Sequence, residues 1–207
     1  MATHNEGQDS AIDRREAVKR VTVMLGGLAL VSSGGLLTAC AKDRGQAAAG
    51  VGSFTTADIA FLDEVSDTIL PDTARSPGAK AARTGAFMAL MVTDTYTPED
   101  QTVFRDGMKA LDAAARTANG DKGFMDLTPA TRTTLLTALD KEQFAFQKAR
   151  KPEEKQHYFR MMKELAMLGF FTSEIGYMRA MRYVESPGRF DPCTEYKAGE
   201  TVWAPHA

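Results

Sequence analysis

Residues 152–183 carry a dense apolar pattern that limits the fold more than any other part of the chain. The apolar side chains recur every three or four residues, which marks one face of a helix. They are Tyr158, Met161, Met162, Leu165 and Leu168. Pro152, followed by two glutamates, predicts the start of this helix, and Gly169 predicts its end. Thr172 or Ser173 then caps a second apolar helix. Two such helices joined by a short elbow predict the hub of a helical bundle.

The remainder of the domain shows further helix starts. Thr55, with an acid three residues later, resembles a capping box. Thr97 and Thr128 are each followed by proline, which is the usual order of cap and first helical residue. A further helix is predicted from about Ala79 or Thr84 to Tyr96, with three side chains facing inward. These are Phe87, Leu90 and Met91.

The sequence after Glu185 loses all periodicity and is rich in proline, glycine and isolated aromatic residues. We expect an irregular or short extended tail there. No segment alternates apolar and polar residues for long enough to predict a sheet. The predicted fold class is therefore all-α, a bundle of five to seven helices with an irregular C-terminal tail, preceded by an export signal.

The N-terminus has the composition of an export signal. Arg14 and Arg15, with Lys19, precede residues 21–41, which contain no charged side chain. The paired arginines resemble the twin-arginine motif, although Asp13 stands where that motif has a hydroxyl residue. Residues 1–39 are therefore predicted to be a twin-arginine signal peptide. A permanent membrane span is the alternative interpretation of the same apolar segment.

Cys40 ends a sequence, Leu-Thr-Ala-Cys, that looks like a lipobox. Lipidation at Cys40 would anchor the mature protein to the membrane, whereas cleavage nearby without lipid is the alternative. Residues 40–53 are small, polar and glycine-rich, which is typical of a flexible tether. Residues 54–207 then form the helical domain, and the predicted location is the periplasm.

Charge and cysteine content exclude several functions. The net charge is −2, which argues against a nucleic-acid partner. With only Cys40 and Cys193, the chain has neither a haem attachment motif nor the thiolates for an iron–sulfur cluster. If Cys40 is lipidated or removed, Cys193 has no partner in its own chain. It then either forms an intermolecular disulfide in the oxidising periplasm or is a buried inert thiol.

Candidates for catalysis within the chain are few. Asp72 and Glu174 lie in or beside predicted turns and could supply a carboxylate site, and His157 lies near the start of the central helix. Asp72 is also the type of residue that organises its own turn. Glu174 also suits a helix N-terminus, and His157 a surface position. An enzyme that works alone with these acid–base groups is thus one hypothesis.

Several blocks of sequence together resemble the gluconate 2-dehydrogenase subunit 3 family. The first is Ile-Leu-Pro-Asp-Thr at residues 69–73 with Ser-Pro-Gly-Ala at residues 76–79. The most specific is Gly-Phe-Phe-Thr-Ser-Glu-Ile-Gly at residues 169–176, in which Phe170 stands where tyrosine is common. Further matching residues are Gly123, Phe124, Phe159, Lys163, Glu164, Leu165, Tyr183, Pro187 and Gly188.

The resemblance implies a small, cofactor-free subunit of a periplasmic, membrane-associated sugar or sugar-acid dehydrogenase. It implies a large flavoprotein partner of the glucose–methanol–choline type that carries FAD, and in some complexes a cytochrome c subunit that carries haem c. The small subunit would escort its partner through the twin-arginine translocase and stabilise it. The alternative function is a free-standing periplasmic lipoprotein that binds a ligand or a protein.

The expected partner surface combines the loop at residues 71–78, the elbow at residues 169–176 and the C-terminal tail. Cys193 would supply the intermolecular disulfide, and Trp203 is of the type that anchors interfaces. The residues assigned to this surface are Pro71, Asp72, Pro77, Gly78, Gly169, Phe170, Phe171, Thr172, Ser173, Glu174, Gly176, Cys193 and Trp203.

Overall fold

The computed structural model describes residues 50–186, 188–189 and 193–204. Its five α-helices are α1 (Thr56–Ile69), α2 (Thr84–Thr95), α3 (Pro98–Ala118), α4 (Pro129–Ala149) and α5 (Tyr158–Phe171), with a 3-10 turn at Phe124–Asp126 and a π-helical turn at Gly176–Ala180. Extended pairing in these residues is limited to two isolated bridges. The all-α prediction is confirmed. The predictions for Arg14, Arg15, Lys19 and Cys40 lie outside the described residues.

Helix α5 lies at the centre of the domain and contacts each of the other four α-helices. Phe159 and Met162 are almost fully buried in its first turns, as are Leu165 and Ala166 further along. The first helix of the predicted hub is therefore present, whereas the predicted second helix is replaced by the five-residue π-helical turn at Gly176–Ala180. Among the described helices, none has the length and apolar character needed to cross a bilayer.

The predicted helix starts at threonine are confirmed. The Thr55 side chain accepts a hydrogen bond from the Asp58 amide at 3.2 Å, and the Thr55 amide donates to the Asp58 carboxylate at 2.8 Å. This reciprocal pair is a capping box. The hydroxyls of Thr97 and Thr128 accept from backbone amides in the first turns of α3 and α4, at 3.2 and 3.3 Å. Each cap satisfies an amide that has no partner within the helix.

The predicted start of the central helix at Pro152 is wrong. Helix α5 begins at Tyr158, and the ring Nδ1 of His157 caps it by accepting from the amide of the second helical residue at 3.2 Å. Pro152 lies in a turn closed by a hydrogen bond from the Glu154 amide to the Lys151 carbonyl at 3.1 Å. Proline fixes the backbone angle that the second position of such a turn requires, so the same residue serves both structures.

The predicted end at Gly169 is also wrong, because α5 continues to Phe171. Gly169 is buried where α5 approaches α2: a β-carbon added there would lie 2.5 Å from the Phe87 ring and 3.1 Å from the Thr84 methyl group. Glycine at this position therefore permits close helix packing and does not act as a stop.

Two leucines that were predicted to face inward are exposed. Leu90 in α2 is 47% exposed and Leu168 in α5 is 46% exposed. Residues 85–92 are all apolar, so the sequence of α2 contains no polar face that would indicate which side is buried. The side of α2 that is buried contains Gly85, Met88 and Val92.

Arg132 of α4 joins three separate elements. It is only 8% exposed, and its guanidinium donates to the carbonyls of Phe124 at 3.0 Å and Met125 at 2.6 Å and forms an ion pair with Glu64 of α1. Lys80, which follows the loop at residues 71–78, lies 2.7 Å from the same carboxylate. Burial disfavours the charged form of Glu64, but Lys80 and Arg132 together outweigh this effect and lower its pKa.

Candidate partner interface

The loop at residues 71–78 follows α1 and is held by a single threonine. The Thr73 hydroxyl accepts from the amides of Arg75 at 3.3 Å and Ser76 at 3.2 Å, and the Thr73 amide donates to the Ser76 carbonyl at 2.9 Å. This arrangement is a turn built on a side-chain hydroxyl. Gly78 is buried at the end of the loop, where a β-carbon would lie 2.3 Å from the Asp67 carboxylate. These contacts together define the conformation of the loop.

The elbow after α5 is organised by Ser173. Its hydroxyl donates to the Phe170 carbonyl at 2.7 Å and accepts from the Gly176 amide at 3.0 Å. The chain then enters the π-helical turn, a rare structure that often occurs at functional sites. A β-carbon at Gly176 would lie 2.1 Å from the Phe170 carbonyl oxygen, so the turn can approach α5 this closely only with glycine.

The structure brings the loop and the elbow together. Residues 72–77 line a cavity of about 440 Å³ together with Ile175 and Arg179 of the following segment. A second hollow of about 270 Å³ is lined by residues 172–174 with Tyr177, Met178 and Tyr183. The two segments that carry the family resemblance thus share one surface, although about a hundred residues separate them in the chain.

The C-terminal tail contacts the same region. The Arg182 amide donates to the Val202 carbonyl at 2.9 Å, and the Ala204 amide donates to the Arg182 carbonyl at 2.8 Å. The Arg182 guanidinium lies 4.7 Å from the centre of the Trp203 ring. The tail also reaches the loop, because Arg75 donates to the Gly199 carbonyl at 3.2 Å. Trp203 remains 45% exposed.

Four large apolar side chains are exposed where α5 ends. They are Met167 at 37%, Leu168 at 46%, Phe171 at 38% and Met178 at 56%. We call these four residues the apolar end of α5. The ring of Phe171 packs edge-on against that of Phe170 at 5.1 Å, and Phe170 is buried in the core. The aromatic part of this surface therefore rests on the folded core.

The residues that were assigned to the partner surface differ in exposure. The exposed ones are Pro71, Asp72, Phe171, Thr172, Glu174, Cys193 and Trp203. The intermediate ones are Pro77 and Ser173, and the buried ones are Gly78, Gly169, Phe170 and Gly176. The interpretation of Cys193 as a buried inert thiol is wrong, because this cysteine is exposed. Its disulfide with another chain stays a prediction, as does the interface itself.

Sequence reasoning did not single out Arg75 and Arg179, which line the same cavity. Arg75 lies in a loop without periodicity, and Arg179 lies between the apolar positions of the predicted second helix, so spacing marked neither residue. Their positions inside or next to the blocks that carry the resemblance were the only indication in the sequence.

The candidate acid–base groups do not form one site. Asp72 lines the larger of the two cavities and Glu174 the smaller. His157 caps the first turn of α5, and its Nε2 lies 3.5 Å from Glu142. Glu174 follows the other end of this helix, which at its 14 residues is about 21 Å long. Within the part of the chain that is described, no three His, Cys, Asp or Glu side chains form a metal-binding cluster.

These features define a helical domain that has exposed apolar side chains at the end of α5 and two cavities near the elbow. Comparison with protein families identifies the chain more closely. The family model for gluconate 2-dehydrogenase subunit 3 matches residues 56–188, and the chain belongs to this family. The match contains all five α-helices, the loop and the elbow, and it confirms the resemblance seen in the sequence. No curated protein and no solved structure matches the chain.

Proposed function

We propose that this chain is the non-catalytic small subunit of a periplasmic, membrane-associated dehydrogenase that oxidises a sugar or sugar acid with FAD. The family name implies association with other subunits of a dehydrogenase complex. In this proposal a large flavoprotein of the glucose–methanol–choline type binds the FAD and the substrate. A cytochrome c subunit with haem c accepts the electrons where it is present. The small subunit stabilises the flavoprotein and carries it through the twin-arginine translocase.

The observation that carries this proposal is the apolar end of α5. Exposed apolar side chains that occur singly need no explanation, but a cluster is typical of a protein–protein contact. Leu168 and Phe171 lie on one helical face, and Met178 follows in the next turn. Methionine and aromatic side chains are also enriched in the cores of interfaces. The cluster lies within the region that the family model matches.

Capture of the partner tests the proposal. A tagged copy of the full chain, purified from its own organism, is expected to bring down a large protein with flavin absorbance. The variant Leu168→Ser/Phe171→Ser is expected to bind it at least about tenfold more weakly, since each removed anchor is worth roughly 1 kcal/mol or more. The control Phe144→Ser changes a side chain that is 52% exposed on α4 and should bind normally. Loss of binding in the control but not in the double variant would contradict the assignment of this surface.

Export provides a second test. Changing Arg14 and Arg15 together to lysine is expected to leave both this chain and the flavoprotein in the cytoplasm. The variant Cys40→Ser is expected to release the complex from the membrane fraction without preventing export. A flavoprotein that reaches the periplasm despite the double lysine variant would refute the escort role. A chain that is exported alone and captures no flavoprotein would favour the free-standing lipoprotein.

A further inference from the structure

Two arginines line the larger of the two cavities, which lies between the loop at residues 71–78 and the π-helical turn. We call it the arginine cavity: it is about 440 Å³ in volume, and Arg75 and Arg179 reach it from different elements. Asp72 is the single acidic residue among those that line it. The cavity therefore has a net positive charge in a chain whose net charge is −2.

Arg75 makes one hydrogen bond through its backbone and one through its side chain within the domain. Its backbone amide donates to the Thr73 hydroxyl at 3.3 Å, and its Nη1 donates to the Gly199 carbonyl at 3.2 Å. These two contacts come from the loop itself and from the tail. Guanidinium has five donors in a planar fork, so the one donor used by Gly199 leaves others available. The hydrogen bond to Gly199 restricts the Arg75 side chain, so less side-chain entropy would be lost when a partner binds.

Neither arginine has an acidic partner within the described residues. Four other arginines of the described residues do: Arg116 pairs with Asp112, Arg132 with Glu64, Arg160 with Glu164 and Arg182 with Glu200. No such ion pair joins Asp72 to Arg75 or Arg179, although all three line the cavity. The cavity thus collects two guanidinium groups whose charge the domain itself leaves unmatched.

We propose that the arginine cavity binds the carboxylate of an acidic side chain on the dehydrogenase partner. This inference rests on the proposed function, and it names the chemistry of one contact within that interface. Arginine binds carboxylates through paired, charge-assisted hydrogen bonds that also fix orientation. Met178 of the apolar end of α5 and Arg179 of the cavity are consecutive residues of the π-helical turn, so one partner surface can contact both. The acidic side chain fixes the orientation of the partner, and the apolar side chains exclude water around this contact.

The test is a binding measurement with the flavoprotein that co-purifies with the full chain. Arg75→Glu/Arg179→Glu is expected to weaken binding by about 30-fold or more, because it replaces attraction by repulsion at a desolvated contact. The matched control is Lys141→Glu/Lys148→Glu. It changes the net charge by the same amount on exposed positions of α4. Binding by the control should stay within about threefold of wild type. Circular dichroism checks that both variants fold.

Salt dependence and a conservative variant sharpen the result. Wild-type affinity is expected to fall as ionic strength rises, and the glutamate variant is expected to lose most of this dependence. The variant Arg75→Lys/Arg179→Lys keeps the charge but loses the planar guanidinium. Its affinity should therefore lie between that of the wild type and that of the double glutamate variant.

The failure of this inference differs from the failure of the proposed function. Wild-type chain that captures no flavoprotein refutes both. Wild-type capture that is equally strong in the glutamate variant refutes the cavity contact alone. If sulfate weakens binding of the wild type but the glutamate substitutions have no effect in chloride, sulfate acts elsewhere, and this result would also overturn the proposal.

Discussion

Removal of Arg132 should destabilise the domain more than removal of any exposed charge. Arg132 is 8% exposed and gives two hydrogen bonds to backbone carbonyls besides its ion pair with Glu64. Breaking a buried pair by removing one partner typically costs about 3–5 kcal/mol. Glu64 keeps a second partner in Lys80, which reduces this cost. The two carbonyls, however, lose their charged donor. We expect Arg132→Ala to lower the free energy of unfolding by about 3 kcal/mol.

Lys80→Ala is the matched control, because Lys80 pairs with the same carboxylate. The Lys80 side chain is 57% exposed, and exposed ion pairs contribute roughly 0–1 kcal/mol. Urea denaturation followed by circular dichroism gives both values for the chain from residue 41 onward. Equal losses for the two variants would refute the reasoning, since burial would then not distinguish the partners. A loss below about 1 kcal/mol for Arg132→Ala would refute it as well.

The same pair predicts a pH dependence. The pKa of Glu64 is lower in the folded state than its ordinary value of 4.5, so the unfolded chain binds the proton more readily. The stability from this group is therefore present above about pH 4.5 and is lost as the pH falls through the folded pKa. Arg132→Ala removes part of the attraction that lowers the pKa. The difference in stability between wild type and this variant should consequently shrink in acid, and a difference that widens would contradict the assignment.

Further predictions concern close packing and burial. In Gly107→Ala, the new methyl group would lie 2.3 Å from the Tyr158 β-carbon, so we expect a loss of about 1–3 kcal/mol despite alanine's better helix propensity. Unfolding in urea measures it, and the double variant Gly107→Ala/Tyr158→Ala should show non-additive losses. Burial raises the pKa of Tyr158 to about 12, and ultraviolet titration of the phenol, compared with Tyr158→Phe, should find one group there. Gly176→Ala should lower the Tm by several degrees, because its β-carbon would meet the Phe170 carbonyl; an unchanged Tm would show that the turn can rewind.

Most of the fold could be predicted from local chemistry. The threonine caps at Thr55, Thr97 and Thr128 are local signals. Each hydroxyl bonds a backbone amide three residues later, so the contact does not depend on the tertiary fold. The errors arose where one residue type suits two structures. Pro152 fits a helix start and a turn equally well, and the packing of His157 against Phe146 and Tyr158 accompanies the later start. Gly169 fits a helix end and a close helix contact, and only the presence of Phe87 distinguishes them.

The candidate site was partly predictable for a different reason. The loop and the elbow were expected on one surface because both carry the family resemblance, and the structure does bring them together. The presence of Arg75 and Arg179 in one cavity could not be predicted from their spacing, because contacts between distant segments produce no periodic pattern in the sequence. Arg132 was also missed, since a single arginine in a helix usually indicates an exposed face. Its burial depends on the carbonyls of the 3-10 turn, which the sequence of α4 does not contain.

The block at residues 169–176 contains two classes of residue, and this division bears on how its variants should be interpreted. Gly169 and Gly176 are buried where no β-carbon fits, so they determine how closely the elbow approaches the core. Phe171 and Glu174 are exposed and have no such constraint. In the proposed complex, substitution of a glycine is expected to change stability and partner binding together, whereas substitution of an exposed residue is expected to change mainly binding. Stability therefore has to be measured beside binding for each variant, because a loss of binding with unchanged stability is the result that identifies a contact residue.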